Sequence, residues 1–286
     1  MADTDTPSSK PRPDPLPAAS ANTLKAYAQD WAHFTRWCRM AGAAPLPPTP
    51  ETVALYLADL ASGSAASPAL SAPTIDRRLS GLVWSLARRG VSRDRTSQPI
   101  ASVLADIKRG QTRLPQQKHP IHADDILAMA AALPHDLRGL RDRAILLLGF
   151  AGRLRRSEIV SLDRHRHDTP DAGGWVEIHN GGVLLTLGKR TARRAIEIPR
   201  HASHHTCPVH ALEHWLRFAR IDRGPVFVAT SRDGARVLDR RLNDKHVARL
   251  IKRTVLDAGL RSELPVKERL ALFSGQSLRV ERLSER

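Results

Sequence analysis

Apolar residues recur along the first third of the chain in steps of three and four. Leu24, Tyr27, Trp31, Phe34 and Trp37 form one stripe, with Asn22 placed to cap the start of a helix and Gly42 to stop it. Thr49-Pro50-Glu51 opens a second helix carrying Val53, Tyr56, Leu57 and Leu60, with Pro50 in the first turn, where a missing N–H costs no helical hydrogen bond. Ile75, Leu79, Leu82, Val83 and Leu86 share a face of a third helix closed by Gly90. Ile100, Val103, Leu104 and Ile107 line a fourth, from Pro99 to Gln111. Amphipathic helices in series without strands predict a compact helical domain.

The pattern changes on either side of this block. Residues 1–19 hold Pro7, Pro11, Pro13, Pro15 and Pro17 among Ser, Asp and Lys, a composition that predicts a disordered arm. The helical domain spans 20–112, and the polar, Pro-bounded stretch 113–120 (RLPQQKHP) reads as a linker. In the second domain, 121–286, helices are predicted at Asp124–Leu133 and Arg138–Phe150, then from Arg155 to Leu162 after a turn at Gly152. Short β-like runs follow at Trp175–Ile178, Val183–Leu187 and Ala195–Ile198, separated by Gly173-Gly174, Gly181-Gly182 and the basic stretch Gly188–Arg194. They predict a small antiparallel meander. Pro208 opens a helix through Leu212, Trp215, Leu216 and Phe218, and Asn243–Ala258 forms another. The fold class is mainly α and multidomain, with a small antiparallel sheet in the second domain.

Charge narrows the partner. The 286 residues carry 45 basic and 29 acidic side chains, a net charge of +16, with a pI near 11.1. A balance this basic points to a polyanion, DNA or RNA before a membrane surface. Residues 1–115 hold 14 basic against 9 acidic groups, leaving 31 against 20 for the rest. Two basic faces around a duplex would produce this distribution, and so would a merely solvated surface. The longest apolar run, Ala144–Ala151, is too short to span a bilayer, and MADTDTPSSKPRPDP has no apolar signal segment. Cys38 and Cys207 alone make no disulfide framework, which fits a reducing cytoplasm.

The chemistry concentrates in Gly152-Arg153-Leu154-Arg155-Arg156-Ser157-Glu158. A turn feeds a helix that sets Arg155 and Glu158 on one face, where the carboxylate orients a guanidinium fork suited to two phosphate oxygens. Taken alone, the same pair is an ordinary surface ion pair. The basic pairs Arg77-Arg78, Arg88-Arg89, Lys108-Arg109 and Arg240-Arg241 are candidate phosphate contacts, and Lys189, Arg190, Arg193 and Arg194 make Gly188–Arg194 the best candidate for entering a groove. His204, His205, Cys207, His210 and His214 raise the question of zinc. One cysteine and the break at Pro208 favour solvated histidines at a helix start, so no metal is assigned.

The Arg155–Glu158 segment resembles the first arginine box of the tyrosine recombinases, the phage integrase family. Gly188-Lys189-Arg190-Thr191-Ala192-Arg193 before Ile196-Glu197-Ile198-Pro199 resembles its lysine-bearing β-hairpin. Thr206-Cys207-Pro208-Val209-His210-Ala211-Leu212 and Gly224-Pro225-Val226-Phe227 match a following helix and strand. Phe273-Ser274-Gly275-Gln276-Ser277-Leu278-Arg279-Val280 resembles the second box, usually His-x-x-Arg. The first domain is similar to the helical core-binding domain of the Cre-like branch, and the motifs keep family order over about 20–280.

The resemblance implies magnesium-independent attack of a tyrosine on a DNA phosphodiester, with no cofactor. By position, Arg155 and Arg279 would clamp the scissile phosphate, Glu158 would support Arg155, and Lys189 would protonate the leaving 5′-oxygen. Gln276 stands where histidine is usual; it donates a hydrogen bond but exchanges no proton near neutral pH. The chain stops at Arg286, before the family's nucleophilic tyrosine, and Tyr27 and Tyr56 lie on apolar stripes of the first domain. The expectation is a C-terminally truncated, cytoplasmic, nucleoid-associated protein that binds double-stranded DNA, with homo-oligomers on DNA weakened by the missing segment. It is unable to cleave a strand alone. The alternative is a non-catalytic remnant or competitor of a full-length recombinase. An unrelated transcriptional regulator would need a helix-turn-helix reader, and none is evident.

Overall fold

A computed structural model describes residues 20–63, 67–92, 94–110, 118–188 and 193–279. The fold is mainly α, and its internal contacts divide the chain into two units, Met1–Pro115 and Gln116–Arg286. The arm at 1–19, most of the linker stretch, and Lys189 and Arg190 lie outside the described residues.

In the first unit, α1 (Ala21–Met40) packs on α3 (Ala72–Ala87), and α2 (Pro50–Ser62) on α4 (Gln98–Gly110). Ser20, rather than Asn22, caps α1: its Oγ accepts the Thr23 N–H at 3.2 Å, and Asn22 falls inside the helix. The sequence stripes converge on a core of Phe34, Val53, Tyr56, Leu57, Ile75, Leu79, Leu82, Leu86 and Ile100. Phe34 and Tyr56 meet edge to face at 5.1 Å, a favoured aromatic geometry. Leu24, read as part of the α1 stripe, is exposed.

The second unit is built around α6 (Leu137–Ala151), where Ala144 to Leu148 are all buried, as in a helix enclosed on every side. α5 (Ala123–Ala131) and α8 (Pro208–Ala219) pack against it. Trp215 of α8 is fully buried and donates its indole N–H to the Val226 carbonyl at 2.7 Å. Phe218, assigned by spacing to the same apolar face, is 58% exposed. α7 (Arg156–Val160) follows α6, and β1 (Leu162–Asp163) leads into a sheet ordered β1-β2-β3-β4. β2 (Gly174–His179), β3 (Gly182–Leu187) and β4 (Arg194–Pro199) form the antiparallel meander expected from the glycine punctuation, in register Trp175↔Thr186 and Leu187↔Arg194. β1 adds a short parallel edge, Asp163 opposite Trp175. A second sheet, β5 (Val228–Thr230) with β6 (Val237–Arg241), precedes α9 (Asp244–Asp257) and α10 (Val266–Leu272).

Two polar features organise this unit. Asp142 on α6 is completely buried and is held by Arg141 (2.8 and 3.0 Å), Arg253 (3.0 Å) and the His246 ring (3.1 Å). Burial pushes its carboxyl up, but the His246 hydrogen bond and the Arg141 charge outweigh that and hold it below the usual carboxylate range. At the chain's entry to the unit, the His119 and Ile121 N–H groups donate to the carbonyls of Leu272 (3.0 Å) and Ser277 (3.1 Å). No described helix is long and apolar enough to cross a membrane.

Candidate functional site

The site begins at the turn between α6 and α7. Arg155 caps α7 in extended geometry, and Glu158, three residues on, accepts its backbone N–H at 2.7 Å and its guanidinium at 2.8 Å. This is half of a capping box, since a guanidinium has no acceptor to offer the helix in return. Arg194, first residue of β4, reaches the same carboxylate at 3.0 Å. Burial pushes the Glu158 carboxyl up, yet the Arg155 N–H and guanidinium together with Arg194 hold it below its ordinary range. Glu158 is 18% exposed while Arg155 is 59% exposed, so the anchor is sheltered and the fork is presented.

The second contribution is the segment 273–279. Phe273, Gly275, Ser277 and Leu278 are buried, and Gln276 and Arg279 are exposed. Ser277 Oγ accepts the Ser274 N–H at 3.0 Å and the Arg279 N–H donates to the Gln276 carbonyl at 2.8 Å, a compact turn that brings the two exposed side chains to one side. Glycine at 149 lets this segment and α7 approach α6: a Cβ there would lie 2.9 Å from Ile159 and 3.3 Å from Leu278.

Arg155, Gln276 and Arg279, singled out from the sequence, line one open cavity of about 220 Å³. Arg156, Ser157, Asp244 and Gly275 complete it. Arg156 lies 3.8 Å from Asp244 at the start of α9, a looser ion pair than the Arg155–Glu158 contact. Sequence reasoning passed over Arg156 and Asp244. Arg156 adjoins the motif residue and was legible as its neighbour, whereas nothing local marks Asp244. The chemistry available is that of an anion receptor: guanidinium forks plus an amide donor, facing solvent.

No protein-family model matches the chain. An integrase/recombinase xerD homolog of Selenomonas ruminantium is 34% identical over 263 residues, covering 90% of this chain and 71% of that protein. A tyrosine recombinase XerC of Xanthomonas axonopodis pv. citri (strain 306) is 28% identical over 209 residues, covering 69% of this chain and 60% of that protein. The chain belongs to the tyrosine recombinase family. A crystal structure of XerA recombinase aligns with 91% of this chain and 75% of that one at 15% identity, with a TM-score of 0.36.

In this recombinase-family chain the remaining basic candidates divide by what they touch. Arg77 makes a two-pronged ion pair with the buried Asp30 (2.6 and 2.8 Å), and Arg78 approaches the same carboxylate at 3.9 Å. Both are turned to a structural partner rather than presented together. Arg241 is likewise drawn inward, onto Asp163 at 2.6 Å, Asp171 at 2.9 Å and the Val160 carbonyl at 3.0 Å, while its neighbour Arg240 is exposed. Lys108 is exposed, and Arg109 pairs with Asp106 one helical turn away. Arg193 lies over the Trp175 ring at 5.2 Å.

The histidines stack instead of converging. His204 and His210 rings are 4.2 Å apart and nearly parallel, and His210 and His214 are 4.0 Å apart. Cys207 caps α8 through its buried sulfur. Among the described residues no group of three or more His, Cys, Asp or Glu side chains is arranged to hold a metal ion.

Proposed function

We propose that this chain acts in site-specific DNA recombination by binding duplex DNA and holding one phosphodiester in the Arg155–Gln276–Arg279 cavity. The observation that carries the reading is the meeting of the two arginine boxes, from distant parts of the sequence, in one open cavity of about 220 Å³. In this reading Arg155 and Arg279 bind the non-bridging oxygens and offset charge that develops on them. Glu158 positions Arg155, and Gln276 donates a hydrogen bond to a phosphate oxygen. Lys189, outside the described residues, is assigned the proton for the leaving 5′-oxygen. The first unit would serve as a DNA-binding module and the second as the phosphate-holding module.

The tyrosines in these 286 residues are Tyr27 and Tyr56. Tyr56 is buried and hydrogen-bonded to His33 at 3.0 Å, and Tyr27 packs on Trp84 at 5.4 Å. Both belong to the first unit's packing, so the reading assigns phosphate binding to this chain and covalent attack to neither tyrosine. A second reading, a protein that occupies recombination sites without exchanging strands, is favoured by Gln276 in place of histidine.

The test is binding of the 286-residue chain to a fluorescent duplex across a salt series, followed by incubation with nicked duplex and denaturing electrophoresis. Affinity is expected to fall by roughly 10³-fold between 50 and 200 mM salt, with no denaturation-resistant protein–DNA adduct. Affinity that is flat in salt would overturn the electrostatic grip. An adduct lost in the Tyr27→Phe or Tyr56→Phe variant would overturn the assignment of the tyrosines to packing.

A further inference from the structure

A larger cavity, about 590 Å³, opens on the other side of the first turn of α9. Asn243 lines it, whereas Asp244 lines the 220 Å³ cavity, so the two are neighbours across one residue step. The walls come from the start of α6, the β5–β6 hairpin and α9, and they carry guanidiniums without a single lining carboxylate among the described residues.

These arginines fall into two groups. Arg141, buried at the floor, is held by Asp142, the Val228 carbonyl (3.2 Å) and the Thr230 hydroxyl (3.3 Å). Arg138 donates to the Ser231 carbonyl at 2.7 Å, fastening the hairpin to α6, and Arg253 fastens α9 to Asp142 at 3.0 Å. Those three, with Arg241 held on Asp163 and Asp171, build the frame. Arg232, Arg240 and Arg249 are exposed, come from three different places on the rim, and have no ion pair among the described residues. Like charges gathered on a rigid frame without counter-charge repel one another until an anion arrives.

We propose that this cavity is an oligophosphate site, taking two or more closely spaced phosphate groups. Arginine forks match phosphate oxygens in pairs. Thr230, Ser231 and Asn243 also line the cavity and supply further short donors. Among the described residues no Trp, Tyr or Phe lines the cavity, and its one ring, His246, is tied to Asp142 at 3.1 Å and Arg141 at 3.0 Å, so the anionic backbone rather than a nucleobase is what the site recognises. The volume exceeds that of the first cavity more than twofold, which suits a run of phosphates and not a single one. Such a run occurs along a nucleic-acid strand and in free inorganic oligophosphate. The inference does not depend on the recombination reading, because the site would stand if the chain bound no duplex.

The experiment uses inorganic tripolyphosphate and a fluorescent duplex as separate probes on the full chain. Three proteins are compared: wild type, the triple variant Arg232→Ala, Arg240→Ala, Arg249→Ala, and the double variant Arg155→Ala, Arg279→Ala. The triple variant removes exposed side chains that hold no structural partner, and its fold is checked by an unchanged melting temperature without ligand. Tripolyphosphate is expected to raise the wild-type melting temperature, and its affinity to fall at least tenfold in the triple variant and less than twofold in the double variant. An equal loss of duplex affinity in the triple variant identifies the strand backbone as the source, and loss for tripolyphosphate alone identifies free oligophosphate. Tripolyphosphate affinity unchanged in the triple variant, or lost only in the double variant, overturns the proposal.

Discussion

Gly275 lies directly against the aliphatic part of Arg156: a Cβ at position 275 would come within 2.4 Å of both the Cγ and the Cδ of that arginine. The absence of a side chain at 275 is therefore what lets Arg156 lie along the cavity wall toward Asp244. Gly275→Ala is expected to push Arg156 aside, weakening duplex binding severalfold at a stability cost of about 1 kcal/mol, typical of mild overpacking. Parallel urea melts and binding titrations check this. Unchanged binding would mean that Arg156 takes no part.

Glu158 supplies a pH signature. Its folded carboxyl titrates below its ordinary value, so the unfolded chain binds the proton first. The stabilisation is complete above the unfolded value of about 4.3 and is lost as pH falls from there through the lower folded value. Glu158→Gln removes this component. The difference in unfolding free energy between wild type and Glu158→Gln is expected to be constant from pH 5 to 7 and to shrink below pH about 4.3. A difference that grows on acidification would contradict the assignment.

Asp142→Ala leaves Arg141 charged and buried without its carboxylate, and releases Arg253 and His246. Removing one partner of a buried pair costs about 3–5 kcal/mol. Chemical denaturation should show that loss in the second unit alone, with the first unit's transition unmoved. A loss below about 1 kcal/mol would mean that water replaces the carboxylate.

Arg77 separates structure from binding. Its partner Asp30 is almost fully buried, so Arg77→Ala strands an acceptor and should cost the first unit about 1–3 kcal/mol. The salt dependence of duplex binding should stay as in wild type. A reduced salt slope with unchanged stability would return Arg77 to the phosphate contacts.

The helices α1 to α9 and the meander β2–β4 were legible because each buries a face, and a buried face leaves a period in the sequence. β1, at Leu162–Asp163, is too short to show one. Strand β6 is exposed along nearly its whole length, so Val237 and Leu238 alternate with nothing. The boxes around Arg155, Gln276 and Arg279 were legible from their motifs. What no local pattern reveals is which way an arginine turns. Arg77 finds its acid 47 residues away and Arg241 finds one 78 residues away, so Arg77-Arg78 and Arg240-Arg241 read alike in sequence while the fold uses them differently. The 590 Å³ cavity was hidden for the same reason: Arg138, Arg232 and Arg249 are scattered over three elements and meet only in space.

The backbone bonds from His119 and Ile121 to Leu272 and Ser277 also have a mechanical meaning. A pull at His119 or Ile121 is shared with the segment 272–277 through these two bonds. Gln276 lies within that segment and Arg279 just beyond it. The two bonds thus fasten the backbone at 119–121 to the wall of the smaller cavity.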